Sequence, residues 1–127
     1  MSMMSYNAGF IAETVNWIEQ NLRTIPGCPE LAGRTGYSLR HIQRKFTALT
    51  GMPVVSYIRC RRLTRAAVAL RLTRRPVGSI AGEWGYSSHH TFTRAFTRHF
   101  GVSPDRYRQM NSWMPEKLTP RLCAPGR

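Results

Sequence analysis

Acidic residues are scarce in this chain of 127 residues. Six Asp and Glu stand against nineteen Lys and Arg, which gives a formal net charge of +13. Between Leu31 and Gly82 there is no acidic residue at all, whereas arginine is abundant there. Surfaces that only keep a protein in solution mix charges of both signs, so a block of one sign is typical of an interaction surface. The imbalance predicts a polyanionic partner.

Long apolar runs are also missing. No stretch approaches the roughly 18 consecutive apolar residues of a membrane-spanning helix. The N-terminus has no basic segment followed by an apolar one, as a secretory signal would. We therefore expect a cytoplasmic protein without a membrane partner.

The sequence lacks the patterns that are typical of a metal site or of an enzyme active site. Cys28, Cys60 and Cys123 are odd in number and lack Cys-x-x-Cys spacing, which favours reduced thiols over disulfides or a zinc site. No Gly-rich phosphate loop follows a strand pattern, and His41 and His99 have no evident carboxylate partner. We expect no catalytic site, no metal and no cofactor.

One stretch, Ile80 to Arg108, has the pattern of helices separated by tight turns. A helix that begins at Pro76 is predicted to end at Gly85, because glycine readily adopts the left-handed conformation that ends helices. Ser87 or Ser88 is a good cap for the next helix. The apolar residues of that helix recur at helical spacing and share one face: Phe92, Ala95, Phe96 and Phe100.

The other face of the same helix is polar. It carries Ser88, His89, Thr91, Arg94 and Arg98, which can donate or accept hydrogen bonds. Gly101 ends the helix, and Ser103 caps a third one with Pro104 at its first position. Helix, tight turn and helix in this order predict a helix-turn-helix unit with a free reading face.

The same pattern occurs once more upstream. The segment from Leu31 to Ser38 matches the segment from Ile80 to Ser87, so the two copies lie roughly 50 residues apart. Further positions coincide in pairs: Arg40 with His90, Arg44 with Arg94, Phe46 with Phe96, Gly51 with Gly101, and Tyr57 with Tyr107. Two copies are too few for a solenoid, which needs about three. They predict two small helical subdomains.

The predicted fold class is all-α, with about seven helices and two homeodomain-like helix-turn-helix subdomains joined by a long linker helix. The predicted parts are a flexible N-terminus (1–9), a first subdomain (10–52), the linker helix (53–72), a second subdomain (73–111) and a flexible tail (112–127). The tail is predicted because Pro115, Pro120 and Pro125 interrupt a segment of little periodicity. The linker would span roughly 25 to 30 Å, close to the ~34 Å between successive major-groove faces, so we expect a rigid spacer.

These residues resemble the signature of the AraC/XylS family of transcriptional regulators. The family pattern appears here in order, as Ile80-Ala81, Gly85-Tyr86-Ser87, Phe92 to Phe96 with Arg94 at its centre, Gly101 to Pro104, and Tyr107-Arg108. The resemblance covers roughly residues 10–111 and is greatest to the short, stand-alone members of the MarA, SoxS and Rob group. It implies a monomeric activator of stress and multidrug-resistance genes. Such an activator would bind double-stranded DNA in two adjacent major grooves and recruit RNA polymerase.

The resemblance also assigns site residues. The positions implied to read bases are Arg40, Gln43 and Arg44 in the first recognition helix and His89, His90, Thr91, Thr93 and Arg94 in the second. Phosphate contacts are expected from Ser38, Lys45, Arg59, Arg61, Arg62, Ser87 and Arg98. Close relatives commonly have tryptophan at the position of Arg40 and glutamines at those of His89 and His90. We therefore expect an altered base preference, and weaker or pH-dependent binding by the second helix.

Two alternatives stay open from the sequence. Net charge alone secures non-specific affinity, so a non-specific, architectural nucleic-acid-binding protein is the second candidate. For Arg59, Arg61, Arg62 and Arg65 taken singly, a solvated surface is as consistent with the pattern as a phosphate contact. Either protein would lie in the bacterial cytoplasm in association with the nucleoid.

Overall fold

The computed structural model describes residues 3–23 and 39–122, with side chains for residues 9–23 and 40–122. Throughout those residues the regular structure is helical and contains no strand, which confirms the all-α class. The helices there are α1 (Met3–Asn21), α2 (Leu39–Thr50), α3 (Val54–Leu72), α4 (Val77–Glu83), α5 (His89–Phe100) and α6 (Pro104–Gln109), with a 3₁₀ turn at Pro115–Lys117. The upstream copy of the repeated segment, Leu31 to Ser38, lies outside the described residues, and so does the phosphate contact expected from Ser38.

The chain forms two compact units. Unit 1 comprises residues 1–59 and 121–127, and unit 2 comprises residues 60–120. The division falls inside α3, so the helix expected as a linker over 53–72 is present but is shared between the two units. Its apolar side chains are buried in both of its parts: Val54, Tyr57 and Ile58 in unit 1, and Leu63, Ala66, Ala67 and Leu70 in unit 2.

Unit 1 is built around the apolar face of α1. The residues of that face recur at helical spacing and are buried: Phe10, Ile11, Val15, Trp17, Ile18 and Leu22. Ile42 and Phe46 of α2 are fully buried, and the Phe46 ring lies 5.7 Å from the ring of Tyr57 in α3. α1 begins at Met3, where we expected a flexible end up to residue 9.

Unit 2 is built around an aromatic cluster. Phe92, Phe96 and Phe100 lie one turn apart along α5 and are buried, as their spacing predicts. Tyr107 of α6 completes the cluster, with its ring centroid 5.5 Å from Phe96 and 5.1 Å from Phe100. Ala95, which we expected on the same face, is only half-buried at its edge. Full burial of one such aromatic side chain contributes about 1.5 to 3 kcal/mol.

The segment Ser112–Leu122 differs from the flexible tail that we expected. Arg61 donates to the carbonyl oxygen of Thr119 at 2.6 Å, and the Tyr107 hydroxyl donates to the carbonyl oxygen of Trp113 at 2.6 Å. The segment is therefore held through its own backbone carbonyl groups, which accept from side chains of α3 and α6 and leave no periodic pattern in the sequence. This is why the sequence did not reveal that the segment is packed.

The described residues contain neither a candidate membrane span nor a candidate metal site. None of the helices there is both long and apolar enough to span a bilayer. Within the same part of the chain, no three His, Cys, Asp or Glu side chains are grouped so that they could hold a metal ion.

Candidate nucleic-acid interface

The turn between α4 and α5 has the geometry of a tight helix-turn-helix corner. Gly85 adopts a φ of 89°, in the left-handed region, immediately after α4. The amide of Tyr86 donates to the carbonyl oxygen of Ala81 at 3.0 Å, and that of Gly85 donates to Gly82 at 3.3 Å. These bonds satisfy the last carbonyls of α4 and end it where glycine is required. The predicted end of the helix is confirmed.

Ser88, not Ser87, caps the second helix of the motif. Its hydroxyl oxygen accepts from the Thr91 amide at 3.0 Å and donates to the Thr91 hydroxyl at 2.8 Å. Gly101, with φ of 82°, ends α5, and the Ser103 hydroxyl caps α6 by accepting from the Arg106 amide at 3.2 Å. The sequence predicted these two ends but left the choice between the two serines open.

The outer face of α5 is the candidate reading surface of unit 2. His89, His90, Thr91, Arg94 and Arg98 are exposed on it, whereas Thr93 is half-buried. Because the phenylalanines hold the opposite face in the core, the polar side chains project outward. Thr91, Arg94, Ala95 and Arg98 line an open depression of about 260 Å³. Two guanidinium groups one helical turn apart can serve both base and phosphate oxygens.

The corresponding face of α2 belongs to unit 1. Arg40 and Arg44 are exposed and lie away from the buried Ile42 and Phe46, whereas Gln43 is half-buried at the edge of that face. Arg44 thus occupies in unit 1 the position that Arg94 occupies in unit 2. The repeat found in the sequence is also a repeat of the exposed arginine.

Two exposed threonines, Thr47 and Thr97, were not among the residues expected from the sequence. Each lies three residues after the exposed arginine of its helix, Arg44 in α2 or Arg94 in α5, on the same side. The signal was available, because the offset that pairs Arg44 with Arg94 also pairs these two threonines. Threonine can donate to and accept from bases or phosphates.

The residues expected to bind phosphate do not share one environment. Arg59 and Arg98 are exposed, as is Ser87, whereas Lys45 is half-buried with its Nζ 4.7 Å from the centroid of the Phe10 ring. Ser38 lies outside the described residues. Arg61 is 7% exposed.

Two arginines of α3, Arg61 and Arg62, are fully or partly buried within the protein. The Arg61 guanidinium donates to the carbonyl oxygen of Thr119 and is buried, so this residue is a poorer candidate for a phosphate contact than the exposed arginines. Burial lowers the pKa of Arg62, an effect that the neighbouring Tyr86 phenol partly opposes. Arg62 nevertheless remains a cation at neutral pH.

A family model described as a helix-turn-helix domain matches residues 31–110, which include both α2 and α5. The multiple antibiotic resistance protein MarA of Escherichia coli (strain K12) is 36% identical over 87% of this chain and 87% of its own length. A transcriptional regulator of the AraC-type DNA-binding class from Chromobacterium violaceum has a related structure. Its TM-score is 0.74 with 27% identity, over 80% of this chain and 90% of that one.

The chain belongs to the AraC family of DNA-binding transcriptional regulators. The transcriptional regulator Rob of Salmonella typhimurium (strain LT2) is 41% identical over 91% of the AraC-family chain described here, but only over 40% of its own length. The chain thus spans about two fifths of that relative. The DNA-binding domain of AdpA, a global transcriptional factor solved in complex with a target DNA, has a TM-score of 0.72. It is 30% identical, over 78% of this chain and 89% of that one.

Membership of the AraC family confirms the expectation, drawn from the sequence, of a DNA-binding transcriptional regulator. Its members are DNA-binding transcriptional regulators and not enzymes, and this chain is a helix-turn-helix regulator of that type. The two exposed arginine-bearing helices, α2 and α5, lie within the part of the chain that the family model matches.

Proposed function

We propose that this AraC-family regulator reads a specific duplex DNA sequence by inserting α2 and α5 into two adjacent major grooves. The observation that carries the proposal is the pair Arg44 and Arg94. Each lies on a recognition helix whose opposite face is buried, and each is exposed at the equivalent position of its repeat. A single exposed arginine on a helix is common and would support nothing. An arginine at the same position of both repeats supports two equivalent base-reading helices, α2 and α5.

The chemistry of the two faces suits base edges in the major groove. Arginine pairs with the O6 and N7 of guanine and glutamine with the N6 and N7 of adenine, each good pair giving about 1 to 3 kcal/mol of discrimination. Arg44 and Gln43 would act in this way in unit 1. Arg94 would do so in unit 2, with Thr91 and Thr93 beside it. Arg40, His89 and His90 would complete the two reading sets.

Phosphate contacts would fix the register of each unit on the duplex without reading sequence. Exposed cations suit this role best, namely Arg59 on α3 and Arg98 on the outer face of α5. Lys45, Arg62, Ser87 and Ser38 remain proposed contacts. Arg61 is left out, because its guanidinium is buried against Thr119.

The biological setting is part of the proposal. We infer a monomer that recruits RNA polymerase and activates stress or antibiotic-resistance genes, acting in the bacterial nucleoid. Support comes from MarA, which is named for multiple antibiotic resistance. The unbroken run of α3 from Val54 to Leu72 supports its expected role as a rigid spacer.

Selection of sites from random duplexes of about 30 base pairs at physiological salt tests the proposal. Enrichment of two sequence blocks about one helical turn apart is the expected result. Arg44→Ala should relax the preference in one block and Arg94→Ala in the other, by about 1 to 3 kcal/mol each. Arg106→Ala removes the same charge from the exposed surface of α6 and serves as the matched control, with both blocks retained.

The outcomes separate this function from the second candidate. Enrichment of one block only would restrict sequence reading to one unit and leave the other with backbone contacts. Failure to enrich any sequence, with tight salt-dependent binding retained, would make the chain a non-specific basic nucleic-acid-binding protein, as its net charge of +13 alone permits.

A further inference from the structure

We propose that the segment Ser112–Thr119 is a brace for the recognition helix α5, and that Tyr107 and His99 are positioning residues for sequence reading by unit 2. Neither side chain needs to touch DNA in this role. The inference rests on the proposed function and adds to it the elements that fix the orientation of α5 within unit 2. All the groups involved belong to unit 2.

Tyr107 joins the brace to the buried face of α5. Its side chain is fully buried, and its hydroxyl donates to the carbonyl oxygen of Trp113 at 2.6 Å. Its ring packs edge-on against Phe96 and at a tilt against Phe100, the two residues that seat α5 in the core. Burial raises the pKa of Tyr107, helped by Glu116 and opposed by Arg71, so the hydroxyl keeps the proton that it donates.

His99 gives a second, direct connection from α5 itself. Its Nε2 lies 2.7 Å from the carbonyl oxygen of Lys117, within the 3₁₀ turn of the segment. Because a carbonyl oxygen only accepts, Nε2 must be the donor. The imidazole also meets the Phe100 ring edge-on, with centroids 4.8 Å apart. Arg98, on the reading face, is the adjacent residue of the chain.

The segment is fastened to α3 at both of its ends. Near its start, the Arg71 guanidinium donates to the carbonyl oxygen of Ser112 at 3.2 Å and lies 4.8 Å from the centroid of the Trp113 ring. Near its end, the carbonyl oxygen of Thr119 accepts from Arg61, and its amide donates to the Thr64 hydroxyl at 2.8 Å. A segment held at both ends can resist movement of the helix that it touches in between.

The position of α5 matters more for specific than for non-specific binding. A bidentate contact from Arg94 requires the helix to be held within about 0.5 Å and 10 to 20° of the right geometry. Attraction to phosphates depends on charge and tolerates much larger displacements. Loss of the brace should therefore reduce discrimination at the block read by unit 2, while affinity for unrelated DNA stays the same.

The experiment compares full-length variants on duplexes from the selection described above, with the unit 2 block either intact or scrambled. Tyr107→Phe removes only the hydroxyl, and His99→Leu removes the ring donor together with the edge-on contact to Phe100. Each should lower the ratio of the two affinities by roughly three- to tenfold, the value of one net hydrogen bond. His99→Gln keeps a donor at a similar reach and should restore most of the ratio.

Tyr57→Phe is the matched control. Tyr57 is the repeat equivalent of Tyr107, and its hydroxyl accepts from the Leu122 amide at 3.1 Å within unit 1. The same atom is removed, yet discrimination at the unit 2 block should not change. All affinities are measured well below the midpoint of thermal unfolding, so that a loss of stability does not lower the folded fraction.

The result that overturns the brace is a wild-type ratio in both Tyr107→Phe and His99→Leu, whatever their unfolding temperatures. A loss of ratio in His99→Leu that His99→Gln fails to restore would also contradict the proposed hydrogen bond. If the wild-type chain itself selects no sequence, the proposed function fails, and this outcome is distinct from a failure of the brace.

Discussion

The guanidinium of Arg61 donates a 2.6 Å hydrogen bond to the carbonyl oxygen of Thr119. Only 7% of this arginine is exposed, whereas Arg59, on the same helix, is exposed. Two residues apart on a helix means about 200° of rotation, so the two arginines face opposite sides. One guanidinium therefore serves the fold and the other is available to a ligand.

Replacement of these two arginines should separate the two roles. Arg61→Leu leaves the Thr119 carbonyl without its charged donor, so we expect a loss of about 1.5 to 3 kcal/mol in the free energy of unfolding. Arg59→Leu should leave the free energy of unfolding within about 0.5 kcal/mol and instead weaken DNA binding and flatten its salt dependence by about one counterion. Urea unfolding and DNA affinity at several salt concentrations measure both quantities. Equal stability of the two variants would contradict the assignment of Arg61.

The sequence predicted the parts of the fold that periodicity and caps control. Phe92, Phe96 and Phe100 are buried because residues four apart share a helix face, and Gly85 and Gly101 end helices because they adopt left-handed backbone. The exposed position of Arg94 followed from the polar face of its helix, and that of Arg44 followed from the repeat. These features are local, so a single sequence contains them.

The sequence did not predict features that depend on distant backbone groups. Arg61 looked like one more surface cation, because the carbonyl oxygen that it binds lies 58 residues away along the chain. The segment after residue 111 looked flexible, because its prolines hide any pattern and it is bound through its own backbone carbonyl and amide groups. Composition cannot distinguish a docked irregular segment from a free one.

Capping of α5 gives a second prediction. Ser88 accepts from the Thr91 amide, and Ser87, its exposed neighbour, does not cap the helix. Ser88→Ala should therefore lower the free energy of unfolding of unit 2 by about 1 kcal/mol, with a range of about 0.5 to 2. Ser87→Ala is the matched control and should change it little. Thermal unfolding of both variants decides the matter, and a greater loss in Ser87→Ala would reverse the assignment of the cap.

Two glycines should respond to the same substitution with opposite signs. Gly101 has a φ of 82°, which an alanine adopts only at a cost of about 1 to 2 kcal/mol, so Gly101→Ala should destabilise the chain. Gly82 lies inside α4, and an added Cβ would meet nothing within 4 Å. Gly82→Ala should stabilise by about 0.5 to 1 kcal/mol, because alanine loses less backbone freedom in a helix. Urea unfolding of both variants measures the two signs, and a shift in the same direction would contradict the backbone geometry described for one of them.

The last prediction concerns the pH dependence of DNA affinity. His90 is exposed, and its equivalent in the repeat of unit 1 is Arg40. Histidine gains a positive charge as the pH falls from 8 to 5, and DNA phosphates favour the charged form. If binding takes up a proton there, affinity for the selected duplex rises as the pH falls, by at most about tenfold per pH unit for each proton.

His90→Arg tests this coupling by giving unit 2 the permanent charge that Arg40 gives unit 1. Its affinity at pH 8 should exceed that of the wild type, and its dependence on pH between 8 and 6 should be flatter at constant ionic strength. His41→Gln, at a half-buried position of α2, is the control and should keep the wild-type slope. A wild-type affinity that does not change over this range would show that His90 binds, if at all, as a neutral hydrogen-bonding group. In that case His90 and Arg40 would differ in the hydrogen bonds that they offer to bases, and a pH-dependent charge on His90 would play no part in binding.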